Sequence, residues 1–302
     1  MRTVFANNKI LTHILLLCLI IFASCSSNQK NKNNKVDEEQ VSFLEIPDGK
    51  IAYKIYGQGK PLIMCMGYSG NMDMWDVKLI NILKQKYKVI AFDYRGMGFS
   101  TNTDTTFLIK TLANDINLLC EHLKINKAAI FGWSMGGYVA QSFTINYPDK
   151  VDKLILHATD FGGENVINPD NNVLKILSDT SAASKELISI LFPENWFKNH
   201  PESKEYFAHV HEPLNHKTIV LQDKAITKWL SKNGGAAGHL YQFKMPVLII
   251  SGDVDAVVLY KNSENLFDSI PNSSLIKIKN GGHGLMYQYP NELANYIIAF
   301  VE

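Results

Sequence analysis

The sequence predicts an α/β fold: a doubly wound, mostly parallel sheet with a helical cap inserted late in the chain. Three observations carry this. Leu62–Met66, Val89–Phe92, Ala129–Phe131, Leu154–Leu156 and Val247–Ile250 are continuous apolar runs. Such runs mark strands buried on both faces, as in a parallel sheet. Stretches with helical periodicity alternate with them. One G-x-S-x-G run, Gly132-Trp133-Ser134-Met135-Gly136, sits where a strand pattern gives way to a helix pattern.

The N-terminus stands apart from this pattern. Arg2 and Lys9 precede an apolar run, Ile10 to Phe22, interrupted by Thr12 and His13. The run is short for a membrane span and is followed by small residues, so 1–24 reads as a signal peptide. Phe22-Ala23-Ser24-Cys25 resembles a bacterial lipoprotein cleavage box, with Phe22 where leucine is usual. The resemblance implies lipidation of Cys25 as the new N-terminus. A plain secretory signal or an uncleaved anchor is the alternative. Ser26 to Gln40 is rich in Asn, Lys and Ser, so 25–40 reads as a flexible tether. The expected location is the bacterial cell envelope, lipid-anchored to a membrane, periplasmic or at the cell surface. Cleavage removes two cations and no acid, taking the net charge of +1 to about −1.

Residues 41–302 carry the fold. Val41–Ile46 and Lys50–Tyr56 alternate about the turn signal Pro47-Asp48-Gly49 and predict a hairpin. Leu108, Leu112, Ile116, Leu119, Cys120 and Leu123 recur at helical spacing, as do Leu293, Ala294, Ile297, Ile298 and Val301. A further helix is expected over Gly137–Tyr147 and a further strand over Leu275–Ile278. From about 163 to 240 no strand pattern is convincing. Val173–Leu177 and Glu186–Phe192 look helical, and Trp196 and Trp229 add apolar bulk, which makes this segment the cap.

The chemistry begins at Ser134. A serine hydroxyl is a poor nucleophile until a base reaches it and a donor pair holds the oxyanion. Glycines two before and two after permit a strained turn that lifts the hydroxyl clear of the backbone. The Met135 N–H then points toward the developing oxyanion. A second donor is expected from Met66-Gly67-Tyr68-Ser69-Gly70, with Tyr68 as its residue. Gly281-Gly282-His283-Gly284 presents an imidazole, whose ordinary pKa of about 6.5 suits a general base. Ser251-Gly252-Asp253-Val254-Asp255 follows a strand, where open α/β sheets place their sites. Asp255 is the expected orienting acid; Asp253 and Asp160 are the competitors.

At this point the chain resembles the α/β-hydrolase superfamily over Val41 to Glu302. The resemblance rests on the elbow, G-x-x-D, G-G-H-G and the D-x-R-G-x-G-x-S segment Asp93 to Ser100. It implies an eight-stranded sheet and a catalytic triad of Ser134, Asp255 and His283. It is nearest to capped esterases, enol-lactonases and methylesterases, and implies a small-molecule ester or lactone as substrate. Ser134 argues against the aspartate-nucleophile branches, the haloalkane dehalogenases and epoxide hydrolases. Met66 stands where many members carry histidine, and Leu259 where proline often follows the acid.

Other signals point elsewhere or nowhere. The near-neutral charge and the lack of a basic stripe argue against nucleic acid. Gly96-x-Gly98 lacks the third glycine of a dinucleotide loop. His209-x-His211-Glu212 with His216 reads as a solvated face, so no metal or other cofactor is expected. His157 reads as a satisfied core histidine, and Cys65 and Cys120 as core residues. Trp133 either lines the pocket floor or packs under the elbow. Two rival functions remain open: a non-catalytic lipoprotein that binds a ligand on this scaffold, and a triad enzyme with perhydrolase or carbon–carbon hydrolase chemistry.

Overall fold

In a computed structural model of the chain, the first alternating segments pair antiparallel as β1 (Ser42–Ile46) and β2 (Gly49–Tyr56), with Ile46 opposite Gly49. The structure describes residues 40–178, 184–201 and 215–302, all within one compact unit. The signal peptide, Cys25, the tether before Gln40, and His209, His211 and Glu212 lie outside the described residues.

The continuous apolar runs form β3 (Lys60–Cys65), β4 (Tyr87–Phe92), β6 (Ala128–Trp133), β7 (Val151–His157) and β8 (Val247–Gly252). The last strand is β9 (Ser273–Ile278). Spatial order is β1-β2-β4-β3-β6-β7-β8-β9. β2 is antiparallel to its neighbours, and every pairing from β4 to β9 is parallel. A ninth strand, β5 (Thr101–Asn102), pairs with β2. Two residues are too few to leave a hydropathy pattern.

Helices flank the sheet. α1 (Val77–Leu83) is capped by Asp76, whose carboxylate accepts from Leu79 N at 2.8 Å. α2 (Ile109–His122) buries Leu112, Ile116 and Leu119 as one apolar face. It packs on α3 (Met135–Asn146), which starts directly after Ser134, two residues earlier than expected. Between β7 and β8 the described residues hold four α-helices, a short 3-10 turn at Leu240–Gln242 and no strand. The α-helices are α4 (Asn171–Ser178), α5 (Ser184–Leu191), α6 (Glu194–Asn199) and α7 (His216–Leu230). α8 (Tyr260–Ser269), α9 (Leu285–Gln288) and α10 (Pro290–Val301) complete the chain, and α10 packs on α1.

The strand order decides where a site can form. After β3 the chain steps to β4 on one side, and β6 takes the other side of β3. The connections therefore diverge between β3 and β6, leaving a crevice beyond their carboxyl ends. Both strand ends open there: Cys65 is opposite Gly132, Met66–Gly70 follows β3, and Ser134 follows β6.

The D-x-R-G-x-G-x-S segment is a structural clasp. Asp93 accepts from Met72 N through Oδ1 (2.7 Å) and from Phe99 N through Oδ2 (2.9 Å). Burial pushes its carboxyl up to about 7 against those two donors. Ser100 Oγ donates to Asp93 O and accepts from Ala52 N, both at 2.8 Å. Arg95 donates twice to Asp115, at 2.8 and 2.7 Å.

Candidate active site

Ser134 lies in the left-handed region, with φ 55° and ψ −122°. Such a conformation costs about 1–3 kcal/mol in a non-glycine residue. Its surroundings hold it there. Ser134 N donates to His157 O at 3.0 Å, while Ser134 O accepts from Gly137 N (2.8 Å) and Thr159 Oγ1 (2.9 Å). The flanking glycines answer to close approach. A Cβ on Gly132 would lie 2.4 Å from Gly136 O, and one on Gly136 would lie 1.9 Å from Cys65 O. Strand, turn and helix are thus pressed together as tightly as backbone permits.

His283 reaches this turn from the loop after β9. Ser134 Oγ lies 2.9 Å from His283 Nε2, and His283 Nδ1 lies 2.9 Å from Asp255 Oδ2. A carboxylate accepts, so Nδ1 carries the proton and Nε2 is left to accept from the serine hydroxyl. Asp255 is itself fixed, because its Oδ1 accepts from Val257 N and Val258 N, both at 2.8 Å. Asp255 and His283 are each 3% exposed. In that shielded setting charge–charge interactions are stronger than in water.

The competitors go elsewhere. Asp253 accepts from Asn280 N at 2.6 Å and ties the loop after β8 to the loop after β9. Asp160 accepts from Tyr138 Oη (2.8 Å) and Gly162 N (2.7 Å), and lines the cavity beside Ser134. Burial pushes its carboxyl up to about 6. Tyr68 and Met135 both line that cavity with Ser134. Among the described residues neither of their backbone N–H groups has an acceptor in the chain. Two donors are therefore free at the crevice, one from each strand end.

Several supporting residues escaped the sequence reading. Gln222, fully buried on α7, accepts from Ser69 N at 2.9 Å and so pins the loop that carries Tyr68. Gln288 accepts from Gly282 N at 2.7 Å, and Leu191 O accepts from Gly284 N at 2.8 Å. The cap thereby braces the histidine loop. Trp133 packs under the elbow: its Nε1 donates to His283 O at 3.0 Å, and its ring tilts against the imidazole at 5.6 Å. It does not line the cavity. Apart from Gln288 and Gly282, these partners lie far apart in sequence, and no local pattern marks them. His157 departs from expectation. Its Nδ1 sits 3.2 Å from Ile250 O, but Nε2 has no partner among the described residues. Burial pushes its pKa down to about 4 and keeps the ring neutral.

This arrangement can activate a hydroxyl and hold an oxyanion. Comparisons with known proteins agree with the fold that carries it. The AB hydrolase superfamily protein YisY of Bacillus subtilis (strain 168) is 25% identical over 260 residues, covering 81% of this chain and 92% of that protein. The 3-oxoadipate enol-lactonase 2 of Acinetobacter baylyi is 25% identical over 236 residues, covering 77% and 86%. A solved thermophilic esterase from Thermogutta terrifontis superposes with a TM-score of 0.74 at 24% identity, over 87% of this chain and 98% of that one. The family model for the alpha/beta hydrolase fold matches residues 60–290. The chain belongs to the alpha/beta hydrolase family.

Proposed function

We propose that this hydrolase cleaves a carboxylic ester or lactone of a small molecule by nucleophilic catalysis at Ser134. The observation that carries the reading is the unbroken relay from Asp255 through His283 to Ser134, with 2.9 Å at each step. Ser134 Oγ attacks the carbonyl carbon while His283 Nε2 takes its proton. The buried Asp255 carboxylate fixes the tautomer and stabilises the imidazolium. The oxyanion sits between the Tyr68 and Met135 N–H groups. Collapse returns the proton from Nε2 to the leaving oxygen, and the acyl group stays on Ser134. Water, deprotonated by the same nitrogen, then releases the acid. With a lactone the leaving oxygen stays tethered, and the product is a hydroxy acid. An enol-lactonase and an esterase among the similar proteins are in keeping with this chemistry.

A fluorophosphonate probe tests the nucleophile. The chain is expected to be labelled at Ser134, and Ser134→Ala is expected to lose all labelling. Labelling that persists in the variant refutes the assignment.

The same proposal places the enzyme at the bacterial cell envelope, tethered by lipid on Cys25. Support comes from the apolar run before Phe22-Ala23-Ser24-Cys25 and the polar stretch after it. Labelled fatty acid is expected to enter the chain and to be absent from Cys25→Ala. Equal incorporation in both removes the anchor.

A further inference from the structure

The cavity beside Ser134 has a volume of about 150 Å³ and mostly apolar walls, among them Val166, Ile226, Leu230 and Val258. Its polarity is one-sided. Among the described residues that line it, the charged ones are Asp160 and Asp223, and none is basic. Asn262, a polar wall residue, is already spent: it accepts from Ile167 N at 2.9 Å and donates to Ile167 O at 2.8 Å.

Asp160 is the unusual member. It is 3% exposed and has no ion-pair partner among the described residues. Two hydrogen bonds hold it, from Tyr138 Oη and Gly162 N, and neither brings a positive charge. The His283 imidazole acts on it from beyond ion-pair distance. Above pH 7 this carboxyl is charged. Buried charges are normally paired, because leaving one bare in low dielectric is costly. Asp223 adds a second carboxylate on the same cavity, from the solvent side of α7. An incoming anion meets two like charges and no counter-charge, whereas an incoming cation finds a buried carboxylate without a counter-charge.

Resting on the proposed hydrolase reading, we infer that this pocket selects esters or lactones whose acyl or alcohol part is cationic or neutral, and rejects those that carry a carboxylate. Asp160 and Asp223 are the specificity-determining residues. The selectivity is electrostatic, so it weakens as salt rises, more for the exposed Asp223 than for the buried Asp160.

Three p-nitrophenyl esters of similar size test this at pH 8: the 4-(trimethylammonio)butyrate, its neutral isostere 5,5-dimethylhexanoate, and the monoester of glutarate. The neutral ester reports the hydrolase reading by itself. The charged pair reports the selectivity. Expected kcat/KM is highest for the cation and lowest for the anion, the two differing by more than about tenfold at low salt. Asp223→Asn is expected to narrow that ratio several-fold and Asp223→Lys to bring it to unity or below. A glutarate ester turned over as well as the cationic one overturns the inference while the hydrolase reading stands. So does a ratio unmoved by both Asp223 variants. Calorimetric titration of the Ser134→Ala chain with the two charged esters reads the preference without turnover. Tighter binding of the cation supports the inference even if no ester is hydrolysed, and equal affinities overturn it.

Discussion

Ser134→Ala lowers kcat on an activated ester by about 10⁴–10⁶-fold, and adding His283→Ala to it lowers kcat little further. The relay acts as one device. Without the hydroxyl there is nothing for Nε2 to deprotonate, so its loss then costs almost nothing. A fall of about 10⁵ corresponds to roughly 7 kcal/mol of transition-state stabilisation. Asp255→Asn is the sharper variant of the set. Val257 N and Val258 N both donate to Asp255 Oδ1. In the variant the amide oxygen stays on those donors, and the NH₂ takes the place of Oδ2, facing His283 Nδ1. Nδ1 must then accept, which moves the ring proton to Nε2 and points it at Ser134 Oγ. Geometry survives and basicity is lost, for about 10⁴-fold in kcat. Asp253→Asn keeps an Oδ1 that can accept from Asn280 N on the loop leading to His283, and it does not touch the imidazole, so its kcat stays within about twofold. Steady-state hydrolysis of a p-nitrophenyl ester reads all four variants. Ser134→Ala that keeps more than about one per cent of wild-type kcat, or Asp253→Asn that falls with Asp255→Asn, ends the assignment.

The contrast between these two aspartates shows where sequence stops. Ser134 and His283 sit in glycine-framed turns whose spacing is local, so the sequence names them directly. Asp253 and Asp255 are two residues apart on one loop. Which of them faces inward is decided by backbone hydrogen bonds from Val257 and Val258, and no pattern encodes those. The central strands were legible because they are buried on both faces and read as unbroken apolar runs. α8 was not, because its buried face is Asn262, Ser263 and Leu266. α7 hid for the same reason, burying Thr218 and Gln222 beside Ile219, Ala225 and Trp229. Buried polar residues, of which Asn262 and Gln222 bond to backbone, break the apolar periodicity that reveals a helix. Gln222 is the telling example: its partner Ser69 is 153 residues away, yet that bond holds the loop that carries Tyr68.

Arg95→Met is expected to cost about 3–5 kcal/mol of folding stability. Arg95 keeps 5% of its side chain exposed and Asp115 none. The guanidinium is gripped by two short hydrogen bonds to Asp115, with Asp104 at 3.2 Å completing the site. Hydrogen bonding to Asp115 raises the arginine's pKa further. Burial leaves the Asp115 carboxyl above the usual range even beside that cation. Removing Arg95 strands a carboxylate in the interior, with nothing to oppose its desolvation. The sign with pH follows. A carboxyl whose folded pKa is raised binds more protons in the native state, so stability falls as pH climbs from the unfolded value, about 3.9, through the folded one. The variant's deficit is therefore smaller at pH 5 than at pH 8. Arg95→Met with Asp115→Leu removes both charges and fills the space, and should recover most of the loss. Urea unfolding at the two pH values measures this, through midpoint shifts at constant slope. A single variant within about 1 kcal/mol of wild type at pH 8, or a double variant no better than the single, overturns the argument. The consequence reaches the site through the clasp. Arg95 anchors the turn whose next residue, Gly96, lies so close to Thr218 that a Cβ there would sit 2.4 Å from its hydroxyl. Thr218 lies in the first turn of α7, and α7 carries both Gln222, which pins the Tyr68 loop, and Asp223, on the cavity beside Ser134. A buried ion pair outside the Ser134–His283–Asp255 relay thus helps set the position of a helix that lines the cavity beside Ser134.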